Sequence, residues 1–182
     1  MSENEYLLKI CIIGSNNDLN YELNALMADH IDDKQNLLTL GVAIGTRKVE
    51  IENNAIKLIL VNNVRQEFFG KLRPSYYRGV SGCVILFEKS NLESFNAVDW
   101  FYNEFRKFIP DPSISFAFVG ITGESEKITT EQGFRLTMKL GLKSGLQRFQ
   151  YVETTIHDRE TIESIFYNLI RKVLGSRKSS EE

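Results

Sequence analysis

The chain has 182 residues, a formal net charge of −2 and 25% charged residues. That length suits a single domain with a sizeable core, and the charge balance excludes a nucleic-acid binder that works through a strongly basic surface. No apolar run approaches the roughly 20 residues that span a membrane, and the acidic start M-S-E-N-E-Y lacks the apolar segment of a signal peptide, so a cytoplasmic protein is expected.

Leu7–Ile13 is a near-continuous apolar run, the pattern of a strand buried on both faces. Residues 20–30 carry Leu23, Leu26 and Met27 at helical spacing. Val42–Ile51 and Ile56–Val61 flank E-N-N at Glu52 to Asn54 and predict a β-hairpin. Cys83–Phe87 is the next strand. Residues 92–109 place Phe95, Val98, Phe101, Tyr102, Phe105, Phe108 and Ile109 on one helical stripe, which Pro110 and Pro112 end. Ile114–Val119 predicts a strand, residues 129–140 a weaker helix, and Phe149–Val152 a short strand. Asp158 is the predicted N-cap of a last helix whose stripe is Ile162, Ile165, Phe166, Leu169, Ile170 and Val173. Gly175 is expected to stop that helix. The order β-α-β-β-α-β-α-β-α-β-α implies an α/β fold with six strands. The sheet is mostly parallel, with one antiparallel edge strand and helices on both faces.

The two cysteines, Cys11 and Cys83, lie inside predicted strands and are expected as core thiols in a reducing compartment. With two distant histidines they offer no metal-ligand spacing. The chain ends in Glu-Glu and begins Met-Ser, so neither a prenylation nor a myristoylation motif is present.

Gly14 to Tyr21 reads G-S-N-N-D-L-N-Y, between the first strand and the first helix. That is where a phosphate-binding loop, G-x-x-x-x-G-K-[ST], would stand. Gly14 fits its first position. Leu19 replaces the second Gly, Asn20 the Lys and Tyr21 the Ser/Thr. No residue of the stretch is basic, and Asp18 adds negative charge. The helix N-terminus still offers backbone N–H groups.

Gln66 to Gly79 reads Q-E-F-F-G-K-L-R-P-S-Y-Y-R-G. It resembles the switch II region of Rab-type small GTPases of the Ras superfamily, with G-Q-E-R-F followed by Y-Y-R-G. Leu40-Gly41-Val42 is similar to the family's I-G-V after switch I, with Thr39 at the switch I threonine, and Glu93-Ser94-Phe95 matches the E-S-F that opens the third helix. The resemblance runs from Tyr6 to about Val173. It implies a P-loop NTPase-like small GTPase (G domain) fold over residues 1–175, followed by a short flexible tail, 176–182.

What the resemblance implies about chemistry is mostly altered in this chain. In the family the loop Lys neutralises phosphate charge and the next hydroxyl binds Mg²⁺; here those positions are Asn20 and Tyr21. The D-x-x-G-Q that holds Mg²⁺ and senses the γ-phosphate becomes Asn62-Asn63-Val64-Arg65-Gln66. Only Gln66, which would orient the attacking water, is retained beside Thr39. The base-reading N-K-x-D becomes Ile121-Thr122-Gly123-Glu124, where Glu124 keeps a carboxylate one methylene longer. The later S-A-K becomes Thr155-Ile156-His157. A hydrogen bond to a charged group contributes about 1.5–3 kcal/mol, and several such groups are replaced together.

The expected function is therefore that of a pseudo-GTPase. It would have no confident catalytic residue, no metal site and no required cofactor, and would act on protein partners through the switch I/II face. Phe68, Phe69, Leu72, Tyr76 and Tyr77 are the candidate partner surface, with Trp100, which lies off the stripe of its helix. An alternative is a guanine-nucleotide switch with atypical, Mg-independent binding of GTP or GDP; a slow GTPase using Gln66 and Thr39 is a third. A homodimer through the edge strand Val42–Ile51 is left open.

Overall fold

A computed structural model describes residues 5–63, 71–145 and 148–181. Its elements, in order, are β1 (Glu5–Gly14), α1 (Asn17–Met27), β2 (His30–Ile31), α2 (Gln35–Thr39), β3 (Val42–Ile51) and β4 (Asn54–Asn63). They continue with α3 (Arg73–Tyr77), β5 (Val80–Glu88), α4 (Leu92–Phe108), β6 (Ser115–Ile121), α5 (Thr130–Ser144), β7 (Phe149–Thr154) and α6 (Arg159–Glu181). The sheet has seven strands in the order β2-β3-β4-β1-β5-β6-β7, one more than the sequence predicts. The extra strand, β2, pairs only His30 with Thr46 and Ile31 with Gly45, antiparallel to β3. β3 is antiparallel to β4, and β4, β1, β5, β6 and β7 are all parallel.

The hairpin turns through Glu52 and Asn53, both at positive φ (53° and 62°). Asn54 belongs to the ladder, opposite Ile51. A two-residue loop with both residues left-handed matches the twist of the strands it joins, and Asn54 Nδ2 steadies it by donating to the Ile51 and Glu52 carbonyls at 3.1 and 3.0 Å.

Alternation along β1 divides the core. Cys11 and Ile13 face one side, with Phe87, Phe101, Phe105, Phe116 and Phe118 beneath α4 and α5. Ile10 and Ile12 face the other, with Leu23, Leu86, Ile165, Phe166 and Leu169 beneath α1 and α6. Each such side chain, fully buried, stabilises the fold by about 1.5–3 kcal/mol. Cys11 and Cys83 are register partners on β1 and β5; both are free thiols with no exposed surface.

One cap is as the sequence predicts, and two more appear beside it. Asp158 accepts from the Thr161 N–H at 3.1 Å at the start of α6. Asn91 caps α4 through the N–H groups of Glu93 and Ser94. Thr129 and Gln132 close a reciprocal capping box on α5. The end of α6 differs from expectation: Gly175 does not stop it, and the helix continues to Glu181. Val173 and Leu174 are buried at that point, and Ser176 bonds to Arg148 and to the Lys172 carbonyl, so tertiary contacts outweigh the local weakness of glycine. Among the described residues, no helix is long and apolar enough to cross a membrane.

Candidate functional site

The strand order reverses at β1, which has β4 on one side and β5 on the other. In open parallel sheets such a point, at the carboxyl ends of the strands, is where ligands bind. The loop after β1 lies there, and two shallow grooves flank it. One, of about 350 Å³, is lined by Asp18, Leu19 and Glu22, by Glu88 and Ser90 around the end of β5, and by Ile121, Thr122 and Gly123 around the end of β6. The other, of about 550 Å³, runs past Ser15–Asp18, Leu38, Glu88, Asn91 and Glu93. No described lysine or arginine lines either groove, while four carboxylates, of Asp18, Glu22, Glu88 and Glu93, do.

The loop engages several of its own polar groups, though Asn17 Oδ1 and Asn20 Oδ1 are buried without a hydrogen-bond partner among the described residues. Asn16 Oδ1 accepts from the N–H groups of Asp18 and Leu19 at 3.1 and 3.2 Å, which are orphan donors of the first turn of α1. Asn20 is buried, and its Nδ2 donates back to the Gly14 carbonyl at 3.0 Å. Gly14 is tight for a reason internal to the chain. A Cβ there would stand 2.7 Å from the Leu86 carbonyl oxygen and 2.9 Å from Asn20 Oδ1.

Tyr21 turns away from the loop. Its hydroxyl donates to the Asp32 carbonyl at 2.9 Å, and its ring packs against Leu37 and Ala43. Asn62, at the end of β4, is buried and accepts from Asn24 Nδ2 at 2.7 Å; the same amide reaches the Leu60 carbonyl at 3.3 Å. Asn24 Oδ1 lies so close to Gly45 that a Cβ there would meet it at 2.1 Å, so the two amides fill the space between α1, β3 and β4.

The switch I threonine position is also internally bonded. Thr39 closes the unpredicted helix α2, and its hydroxyl donates to the Gln35 carbonyl at 3.0 Å. At the base-reading positions, Ile121 is buried in the core at the end of β6, Thr122 donates its N–H to the Thr154 carbonyl at 2.8 Å, and Glu124 is exposed. His157 is exposed as well.

The expected partner surface divides. Leu72 is exposed, and Tyr76 is half-buried with its hydroxyl donating to the Leu40 carbonyl at 2.8 Å. Leu38, Leu40 and Ile44 are exposed on the α2–β3 side. Tyr77 is a correction: it has no exposed surface, stacks edge-on against Phe105 at 5.1 Å and donates to Glu104 at 3.0 Å. It belongs to the core beneath α4, so it is not available to a partner. Trp100 stays on α4, 38% exposed, edge-on to Phe101. Gln66, Phe68 and Phe69 lie outside the described residues, as do Val64 and Arg65.

Sequence reasoning missed a charged cluster behind the groove. Lys89, with 4% of its side chain exposed, bridges Glu153 at 2.8 Å and Glu126 at 2.9 Å. Glu153 also accepts from Thr130 at 2.8 Å and from Tyr151. Burial alone would lower the Lys89 pKa, but its two carboxylate partners outweigh that and raise it. Burial likewise pushes Glu153 up, and the hydrogen bonds from Lys89, Tyr151 and Thr130 prevail and hold it below its ordinary value. Lys89 and Glu153 are far apart in sequence, so no local pattern announces them. Asn16 was legible in principle, since an Asn before N-D-L at a helix start is a capping signal.

Residues 8–175 match the model of the Ras family. Among curated proteins, the chain is similar to Ras-related protein Rab-18 of Lymnaea stagnalis, 26% identical over 96% of this chain and 85% of that one. It is 28% identical to Ras-related protein RABD1 of Arabidopsis thaliana, over 100% of this chain and 87% of the relative. Ras-related protein Rab-4 of Dictyostelium discoideum is also 28% identical, over 97% and 83%.

Proposed function

This chain belongs to the Ras family, and from that premise we propose that it keeps the family's fold as a protein-interaction module while lacking Mg-GTP binding and hydrolysis. The observation that carries this reading is the cap made by Asn16. Phosphate binding at a helix N-terminus needs free backbone N–H groups and favours a nearby cation. Here the N–H groups of Asp18 and Leu19 are taken by Asn16 Oδ1, and the surrounding groove presents carboxylates. A triphosphate carries several negative charges, and at contact distances like charges repel by about 1 kcal/mol per pair even in water.

The metal positions point the same way. Mg²⁺ favours hard oxygen ligands. Asn62 supplies a neutral amide already bonded to Asn24, and the Tyr21 oxygen is engaged with Asp32. These residues do not match what Mg-GTP requires, so no catalytic step is assigned to them. The surface left for function is the switch face, where Leu38, Leu40, Ile44 and Leu72 are exposed around Tyr76. Exposed apolar side chains grouped in this way favour contact with another protein.

The test is to denature the purified protein and look for released nucleotide, then to measure thermal shifts with GTP and GDP, with and without Mg²⁺. No nucleotide and no shift are expected. A Mg-independent shift would move the reading to an atypical nucleotide switch, and Mg-dependent binding with turnover would overturn it.

A further inference from the structure

Two residues of the loop stretch, Asp18 at an unspecified position and Tyr21 at the substituted Ser/Thr position, hold the segment that nucleotide and metal would otherwise order. Tyr21 stands where the Mg-linked hydroxyl would be, and its hydroxyl reaches the Asp32 carbonyl at 2.9 Å. Its ring packs against Leu37 of α2 and Ala43 of β3. Lys34 lies over that ring, 5.8 Å from its centre, and pairs with Asp18 at 3.0 Å. Asp32 is itself clipped to β3. Its N–H donates to the Ile44 carbonyl at 3.0 Å, and its Oδ2 accepts the Ile44 N–H at 3.2 Å.

The far end of the segment is tied as well. Tyr76 of α3 donates to the Leu40 carbonyl at 2.8 Å, which joins switch II to switch I directly. Within the segment Asp33 accepts from the Gln35 N–H at 2.9 Å, and Thr39 closes α2 on the Gln35 carbonyl. Residues 32–44 are thus held at both ends and in the middle by side chains of the chain itself.

We propose that Tyr21, Asp18–Lys34 and Tyr76 form a nucleotide-independent latch, which keeps the switch face in one arrangement and presents it to a partner at all times. This rests on the preceding reading and specifies the regulation of the same surface. In a nucleotide switch the γ-phosphate and its metal order these loops, and hydrolysis releases them. Here the groups that make the ordering contacts are side chains of the protein itself, so no hydrolysis removes them.

Hydrogen exchange followed by mass spectrometry on the full chain, without added nucleotide, tests the latch. Amides of residues 32–44 are expected to be protected in the wild type. Tyr21→Phe and Tyr76→Phe each keep the ring and delete one hydrogen bond, and each should speed exchange of that segment by about fivefold, the weight of one ordinary hydrogen bond. Lys34→Ala, which removes an exposed ion pair, should change it by about twofold. Exchange of β1 and β5 should stay unchanged in all three, which separates local release from a fold defect. An unprotected wild-type segment would overturn the latch, and so would hydroxyl deletions that leave its exchange unaltered. A repeat with Mg-GTP keeps the two readings apart. Added protection would overturn the loss of nucleotide binding, and the latch falls with it only if the segment is protected solely in that condition.

Discussion

Asn24 donates its amide to Asn62 Oδ1 at 2.7 Å, with both side chains buried between α1 and β4. Asn62 is the position that the family resemblance sets against a metal-linked carboxylate, and here it carries a neutral amide whose oxygen takes the Asn24 donor, while Asn24 Oδ1 and Asn62 Nδ2 stay buried without a hydrogen-bond partner among the described residues. Asn24→Leu leaves the Asn62 amide without its donor, and the expected loss is about 1–3 kcal/mol in urea denaturation. Adding Asn62→Leu should cost less than the sum of the single changes, because the second substitution removes the group the first one stranded. Full additivity in that double-mutant cycle would show that the contact carries no energy.

Removing the cap tests a different part of the loop. Asn16→Ala is expected to lower stability by about 1 kcal/mol, the usual cost of losing an Asn N-cap. The freed N–H groups of Asp18 and Leu19 should still give no Mg-GTP thermal shift, since the described lining of the groove has carboxylates and no lysine. A variant that gains Mg-GTP binding would mean that the cap alone closes the site.

The Lys89 cluster sets a pH dependence with a definite sign. The Glu153 pKa is held below its ordinary value of 4.5. Its contribution is therefore fully present above that value and is lost as pH falls through the folded one. The Lys89 pKa is raised above 10.5, so its contribution is present below that value and is lost as pH rises through the folded one. A stability plateau across neutral pH with losses at both extremes is expected by thermal denaturation. Lys89→Met should cost about 3 kcal/mol by leaving partly buried carboxylates uncompensated. It should also flatten the acid limb, because without Lys89 the Glu153 pKa is less depressed and less stability is lost as pH falls. An unchanged acid limb would remove Lys89 from the account.

Gly175 lies inside α6, has no positive φ, and a Cβ there would meet nothing within 4 Å. Gly175→Ala is expected to stabilise the protein by about 0.5–1 kcal/mol, the difference in helix propensity. Had this glycine ended the helix in a left-handed conformation, alanine would destabilise it instead, so the sign of the change in melting temperature decides.

The strands were legible because apolar runs such as Leu7–Ile13 and Ile114–Val119 have no other reading at that length, and the six predicted strands all appear. β2 was not, since His30–Ile31 is two residues long and is defined by its partner rather than by its own pattern. α2 escaped for a similar reason: its five residues bury only Leu37. Tyr76 and Tyr77 are identical side by side in sequence, yet one bonds to Leu40 at the surface and the other is sealed under α4. The altered positions of the site were readable one by one. Their new partners were not, because Asn24–Asn62, Tyr21–Asp32 and Lys89–Glu153 are contacts between residues that only the fold brings together.

Cys11 and Cys83 sit opposite each other on the two central strands, fully enclosed, and burial pushes the Cys83 thiol well above its ordinary pKa. An alkylating reagent attacks thiolates it can reach, so neither cysteine should react until the centre of the sheet comes apart. Local release of α2 or of the switch segment leaves both shielded. The protein thus carries its own chemical clock for whole-molecule opening: the rate of iodoacetamide incorporation reports the rarest and largest fluctuation of the chain, with no probe to be engineered in.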